Sequence, residues 1–96
     1  MALIDKCRMA LRITTTAYDD ELNEYIDAAK RDLGIAGILS SATETPDALV
    51  STAILTYVRM KFGTPNDYDD LKASYDEQKA QLQTASGYTD WGASDV

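Results

Sequence analysis

Apolar residues recur at helical spacing along most of the chain, and the first such stretch is short. Its apolar side chains share one face of a predicted helix: Leu3, Ile4, Cys7, Ala10 and Leu11. The run Ile13-Thr14-Thr15-Thr16 follows directly, and β-branched side chains that also carry hydroxyl groups are poor helix formers. The pattern therefore predicts a first helix that ends before this run.

The second predicted helix starts after two aspartates and carries a wider apolar stripe. Asp19 or Asp20 is a candidate N-cap, because a short carboxylate can accept a hydrogen bond from the free N–H groups of the first turn. The stripe consists of Leu22, Tyr25, Ile26, Ala29 and Leu33. Gly34 offers a left-handed stop, with Ile35 able to fold back on the helix. We therefore expect this helix to end at Gly34.

The third predicted helix follows a connector, residues 34–45, made mostly of small residues. Thr45-Pro46-Asp47 is a helix start with a hydroxyl cap, a proline at the first position and an acid at the second. The helix from about Pro46 to Phe62 has one broad apolar face: Leu49, Val50, Ala53, Ile54, Tyr57 and Val58. Leu55 and Met60 lie elsewhere around it, so we expect this helix to be the most buried.

The fourth predicted helix starts near Asp67 or Asp69 and has a thin apolar stripe. A helix with few apolar residues gains little by packing on its own monomer, which makes part of this stripe a candidate for contact with a partner. The candidate interface residues are Leu71, Tyr75 and Leu82. The same side chains could instead cover the monomer's own core.

The end of the chain, from Ser86, is polar and glycine-containing apart from two aromatic residues, Tyr88 and Trp91. Aromatic residues in a polar tail are candidate docking anchors, although a disordered end can also carry them incidentally. We therefore predict an all-α protein, a small bundle of about four helices with a buried third helix and an extended C-terminal tail. The helical domain is expected over residues 1–85 and the flexible tail over residues 86–96.

Composition sets limits on this picture. No apolar run approaches the roughly 20 residues that a membrane-spanning helix needs, so we expect no membrane partner. A lone cysteine, Cys7, excludes an internal disulfide and is expected to be a small core residue. The net charge is −7, of which residues 1–12 contribute +2 and the remainder −9. An acidic chain does not hold nucleic acid through its phosphates, so DNA is expected to pass nearby without specific binding.

The residues that usually carry chemistry are scarce. The chain has no histidine, the commonest general base and metal ligand. The segment from Asp67 resembles a calcium loop only at its start, because Lys72 replaces the glycine and Gln78 the final glutamate. Asp20 and Glu24 share a helix face, for which a solvated surface is the simpler interpretation than a cation site. We predict no catalytic residue, no metal site and no cofactor.

Four stretches of the chain resemble the head–tail connector proteins of long-tailed bacteriophages. They are "LIDKCRMALRI", "YDDELNEYIDAAKRDLGI", "TPDALVSTAILTYVRMKFG" and "NDYDDLKASYDEQKAQL", and the resemblance covers roughly residues 2–83. Its pattern is a short first helix ending in a hydrophobic-Thr turn, then Asp-Asp-Glu-Leu followed by Ala-Ala. Proteins of this family are also called adaptor, head-completion or DNA-packaging proteins.

The resemblance implies a structural virion protein and not an enzyme. Such proteins form a ring of identical copies beneath the portal after packaging, extend the DNA channel and offer a surface to the next tail component. The implied partners are other copies of the chain, the portal protein and the next tail-completion protein. The implied location is the head–tail junction of the virion, with the bacterial host cytoplasm before assembly.

Two other classes of function remain open on the residues alone. An acidic helical regulator, or a DNA mimic that binds a basic partner, is supported equally well by the charge. Such a protein acts as a monomer or dimer, whereas a connector forms a large ring or joins a portal, so self-assembly separates the two. A small enzyme is a third class, which the missing histidine disfavours.

Overall fold

The computed structural model describes residues 2–44, 46–63 and 65–84, and the regular elements within these ranges are helices. They are α1 (Leu3–Leu11), α2 (Asp19–Ile35), α3 (Ser40–Glu44), α4 (Ala48–Lys61) and α5 (Tyr68–Thr84). The predicted all-α bundle is confirmed, and α3 is an added short helix inside the predicted connector. The tail expected over residues 86–96 lies outside the described residues. None of the helices described is long and apolar enough to cross a membrane.

Helix α4 is the centre of the bundle, and α1, α2 and α5 all pack against it. Its buried residues point to more than one side: Val50, Ser51, Ala53, Ile54, Thr56, Val58 and Met60. The hydroxyl group of Thr56 is satisfied inside the helix, because it donates to the carbonyl oxygen of Thr52 at 2.9 Å. The predicted third helix, which is α4, is therefore confirmed as the most buried element.

The surrounding helices each present one apolar face to α4. Those faces contribute Cys7 from α1, four residues from α2 (Leu22, Ile26, Ala29 and Leu33) and three from α5 (Leu71, Tyr75 and Leu82). Cys7 is fully buried, as predicted, and burial raises the pKa of its thiol to about 11. At neutral pH this cysteine is a protonated, inert core residue.

The end of α2 differs from the prediction. Gly34 lies inside the helix, which continues to Ile35, and the left-handed residue is Gly37 with a φ of 99°. The Gly37 N–H donates to the Gly34 carbonyl oxygen at 3.0 Å, and the Ile38 N–H donates to the Leu33 carbonyl oxygen at 3.0 Å. This pair of hydrogen bonds is the Schellman motif, which satisfies the last carbonyl groups of a helix.

Apolar pairing explains why the chain stops at the later glycine. In a Schellman motif the residue after the left-handed position packs against a residue in the last helical turn. At the observed end that pair is Ile38 and Leu33, and both side chains belong to the core. A stop at Gly34 would have paired Ile35 with Lys30 instead. Ile35 consequently does not fold back on the helix, and it is 87% exposed.

The predicted caps were also wrong in detail. Asp47, which the sequence placed at the second position of the helix, is the N-cap of α4, because its carboxylate accepts a hydrogen bond from the Val50 N–H at 3.0 Å. The N-cap residue of α2 is Tyr18, whose side chain makes no capping bond. Asp19 is the first residue of α2, and its carboxylate is used to bind Arg8. The local sequence identified acids suited to helix starts. It did not show that Asp19 pairs with Arg8 of α1 and leaves the cap position to Tyr18.

Candidate interaction surfaces

The three candidate interface residues of the last helix are buried in the monomer. Leu71, Tyr75 and Leu82 are 7%, 2% and 2% exposed. They cover the monomer's own core, which is the alternative that the sequence left open. The assignment of these residues to an interface stays a prediction, as does that of Tyr88 and Trp91, which lie outside the described residues.

A polar network joins α5 to α2 beside this buried stripe. The Tyr75 hydroxyl donates to Asp32 Oδ2 at 2.6 Å, and Lys79 Nζ donates to the same oxygen at 3.2 Å. Lys79 Nζ also lies 5.2 Å from the centre of the Tyr75 ring, which packs edge-on against Tyr57. The sequence signal was the Tyr–Lys spacing of four residues, which places both side chains on one helix face. Its acidic partner on another helix could not be identified from the spacing.

The network shifts the pKa of both oxygen groups. Partial burial by itself raises the pKa of Asp32, but the hydrogen bonds from Tyr75 and Lys79, with the charge of Lys79, outweigh it and lower the pKa overall. Burial, followed by the hydrogen bond to Asp32, raises the pKa of the Tyr75 hydroxyl. Asp32 is therefore an anion and Tyr75 a neutral donor at neutral pH, and the 2.6 Å distance between them fits such a charge-assisted hydrogen bond.

Asp32 should make the protein lose stability in acid. Because its pKa is lower in the folded than in the unfolded chain, its contribution is complete above about pH 5 and is lost as the pH falls below about 4. The Asp32→Asn variant should therefore lose less unfolding free energy than the parent over this range. Urea unfolding at several pH values measures the difference. Asp27→Asn, which alters an exposed acid of the same helix, is the control. Its unfolding free energy should change with pH as that of the parent does. An unchanged slope in Asp32→Asn would contradict this account.

A second ionic cluster joins α1 to α2. Arg8 Nη1 lies 2.8 Å from Asp5 Oδ1, and Arg8 Nε lies 3.0 Å from Asp19 Oδ1. Arg8 thus pairs with two acids within the chain and links α1 to the start of α2. Part of the basic excess at the amino terminus is used for folding and is not available to a partner.

Within residues 2–44, 46–63 and 65–84, the exposed large apolar side chains are found at both ends of the bundle. They are Met9, Tyr18, Ile35, Leu49 and Tyr68. Tyr18 packs edge-on against Phe62 with ring centres 5.6 Å apart, so the start of α2 meets the end of α4. At the opposite end, Gln83 Nε2 donates to the Ala36 carbonyl oxygen at 3.0 Å, which places the end of α5 beside the end of α2. Ile35 and Leu49 belong to this second end.

A groove of about 390 Å³ runs between α4 and α5 at that end. It is lined by Leu49, Thr52, Gln78, Gln81 and Leu82, none of which is charged. The Oε1 atom of Gln78 is buried and has no hydrogen-bond partner within the described part of the chain. We name this feature the α4–α5 groove. An uncharged concave surface with an unsatisfied acceptor fits contact with a protein better than it fits catalysis.

The described ranges contain no group of three or more Cys, Asp or Glu side chains placed to hold a metal ion. Asp20 and Glu24, the pair considered above, are both exposed on α2. What the described residues provide is therefore a helical scaffold with two ionic clusters and the α4–α5 groove.

Comparison with known proteins assigns this scaffold to a family. No match was found among curated proteins, and none among solved structures. A family model described as phage connector protein matches residues 3–89, a stretch that contains all the helices described above. The family resemblance stated on the sequence is confirmed, since the match extends over most of the chain. The chain belongs to the phage connector protein family, whose members have a structural role at the head–tail junction of the virion.

Proposed function

We propose that this protein assembles as a ring of identical copies beneath the phage portal, extends the DNA channel after packaging and presents a surface to the next tail-completion protein. The observation that carries this proposal is the family match over residues 3–89. The fold is consistent with a structural role, because the described residues form a bundle packed around a central helix, α4.

The surface charge supports the passage of DNA without binding. The outward face of α2 carries exposed acids: Asp20, Glu21, Glu24 and Asp27. The outward face of α5 carries another set: Asp69, Asp70, Asp76 and Glu77. These eight acids outnumber the exposed cations of the two helices, Arg31 and Lys72, and Lys72 is already paired with Asp76. Faces of this charge attract DNA phosphates weakly, so a ring built from this chain leaves the DNA mobile in its channel.

The same charge limits self-association. Copies that carry −7 each repel one another, and salt screens that repulsion over about 10 Å at 0.1 M. We expect a monomer or small oligomer in dilute solution and a ring only at high protein concentration or on the portal. Added salt should shift the equilibrium towards the ring.

Sedimentation velocity and electron microscopy of the full chain test the proposal. The chain is examined over a range of concentrations, alone and with purified portal protein, and portal protein alone serves as the control. Rings at high concentration, or added density on one face of the portal, are the expected result. A chain that stays monomeric under all these conditions and binds a basic protein would instead support an acidic regulator or DNA mimic.

A further inference from the structure

We propose that Ile35 of one copy seats in the α4–α5 groove of the next copy, as the head-to-tail contact of the assembly. This inference rests on the proposed function, because a ring of identical copies needs two different complementary patches on each chain. The described residues offer one protruding apolar patch and one concave apolar patch at the same end of the bundle.

Ile35 is the protruding patch. It is 87% exposed at the last residue of α2, about 200° around the helix from the buried Leu33. Gly34 precedes it, in helical conformation, and a Cβ atom added there would meet nothing within 4 Å. Glycine destabilises a helix relative to alanine, and the monomer gives no steric reason for it here. Close approach by a neighbouring chain provides that reason.

The α4–α5 groove is the concave patch. Its floor is the buried Leu82, its rim includes Leu49, which is 55% exposed, and none of its lining residues is charged. An aliphatic side chain such as that of Ile35 can enter it without removing a charge from water. The contact would also cover Leu49, the other exposed apolar residue at this end.

The positions of the two patches suit a closed ring. Gln83 donates a hydrogen bond to Ala36 at the end of α2, and Leu82 lies beside Leu49. Ile35 and the groove are therefore at the same height along the long direction of the helices. Ile35 and the groove are on different flanks of the bundle. Lys79 and Gln83 donate hydrogen bonds to the end of α2. The groove residues Gln78 and Gln81 lie roughly 150° around α5 from that pair. Patches at one level on different flanks bring successive copies side by side around an axis.

Charge complementarity accompanies the apolar fit. Arg31 is exposed one turn before Ile35, and Glu77 is exposed on α5 one turn before Gln81 of the groove. Each charge thus lies one helical turn from its half of the contact, so Arg31 of one copy can pair with Glu77 of the next. An ion pair across the contact opposes the mutual repulsion of two acidic chains. The occupant with the matching shape and charge is therefore a second copy of this chain.

Cysteine cross-linking tests the contact directly. Ile35→Cys and Leu49→Cys chains, one of them tagged, are mixed at assembling concentration and oxidised; Cys7 stays in place because it is fully buried. We expect the yield of the mixed disulfide to be at least tenfold higher than the yield of disulfide-linked dimer from either variant alone. Met9→Cys mixed with Leu49→Cys is the matched control, since Met9 is 65% exposed but lies outside the contact. Equal yields in all mixtures would overturn the proposal.

The double variant Ile35→Cys/Leu49→Cys tests the head-to-tail geometry. A head-to-tail contact links each copy to two neighbours, so oxidation should give a ladder of products that continues to the closed ring. Products that stop at the dimer would show a two-fold contact and overturn the inference.

Three further variants test the apolar contact and the ion pair. Ile35→Asp should raise the concentration at half assembly at least about tenfold, because it places a carboxylate in an apolar groove, while the melting temperature of the monomer stays unchanged. Arg31→Glu should weaken assembly, and combining it with Glu77→Arg should restore it. Loss without restoration would overturn the predicted pairing of these residues.

The failure of this contact is distinguishable from failure of the proposed function. If residues 85–96 or another segment occupy the groove, rings still form while the mixed disulfide is absent. That result overturns the contact and leaves the ring function in place. If neither rings nor portal complexes form, that result overturns the proposed function itself.

Discussion

Replacing Ile54 by alanine should lower the free energy of unfolding by about 2–5 kcal/mol. Ile54 is completely buried near the middle of α4, so its truncation leaves a cavity that the surrounding side chains fill only in part. Urea unfolding followed by circular dichroism measures the change. For a domain of this size such a loss is a large part of the total stability.

Ile35→Ala provides a control with identical chemistry. Ile35 is 87% exposed, so the same truncation there removes almost no buried surface and should cost less than about 0.5 kcal/mol. Similar losses at the two positions, or a loss below half a kcal/mol for Ile54→Ala, would show that the core is placed incorrectly.

Replacing Tyr75 by alanine should lower the unfolding free energy by about 3–5 kcal/mol, the range for removing a buried aromatic side chain. Tyr75 is 2% exposed, packs against the Tyr57 ring and donates to Asp32 at 2.6 Å, so the variant loses both packing and a hydrogen bond to a charged acceptor. Thermal and urea unfolding at a concentration below assembly give the effect on the monomer.

Two variants separate the parts of this effect. Tyr75→Phe removes only the hydroxyl group and should cost about 1.5–3 kcal/mol. Tyr68→Ala, in the first turn of the same helix, removes a tyrosine that is 38% exposed and should cost less than Tyr75→Ala. If Tyr75→Ala instead left the melting temperature unchanged and abolished assembly, Tyr75 would belong to an interface and not to the core.

The sequence by itself determined the helical class, the central helix and the absence of strong chemical motifs. Helix formation follows from spacing within a few turns, so the stripes of α1, α2 and α4 were visible without the fold. The apolar residues on more than one side of α4 predicted its burial for the same reason. The family resemblance also rests on such local patterns, and the match over residues 3–89 confirms it.

The local sequence pattern was not sufficient to predict where α2 ends. Gly34 and Gly37 are both chemically able to end a helix, and each is followed by an isoleucine. Only the tertiary structure selects the second, because the core accepts Ile38 beside Leu33 and leaves Ile35 in solvent. The exposed position of Ile35, on which the inferred contact depends, is a consequence of that selection.

The position of α5 was decided by contacts between distant parts of the chain. Its stripe was too thin to predict burial, yet the second apolar side of α4 encloses Leu71, Tyr75 and Leu82. Asp32 and Tyr75 are 43 residues apart, and no local spacing indicates that they bond. The α4–α5 groove likewise exists only where two helices meet. Local sequence determines which segments are helical, whereas burial and grooves depend on which helix faces meet in the fold.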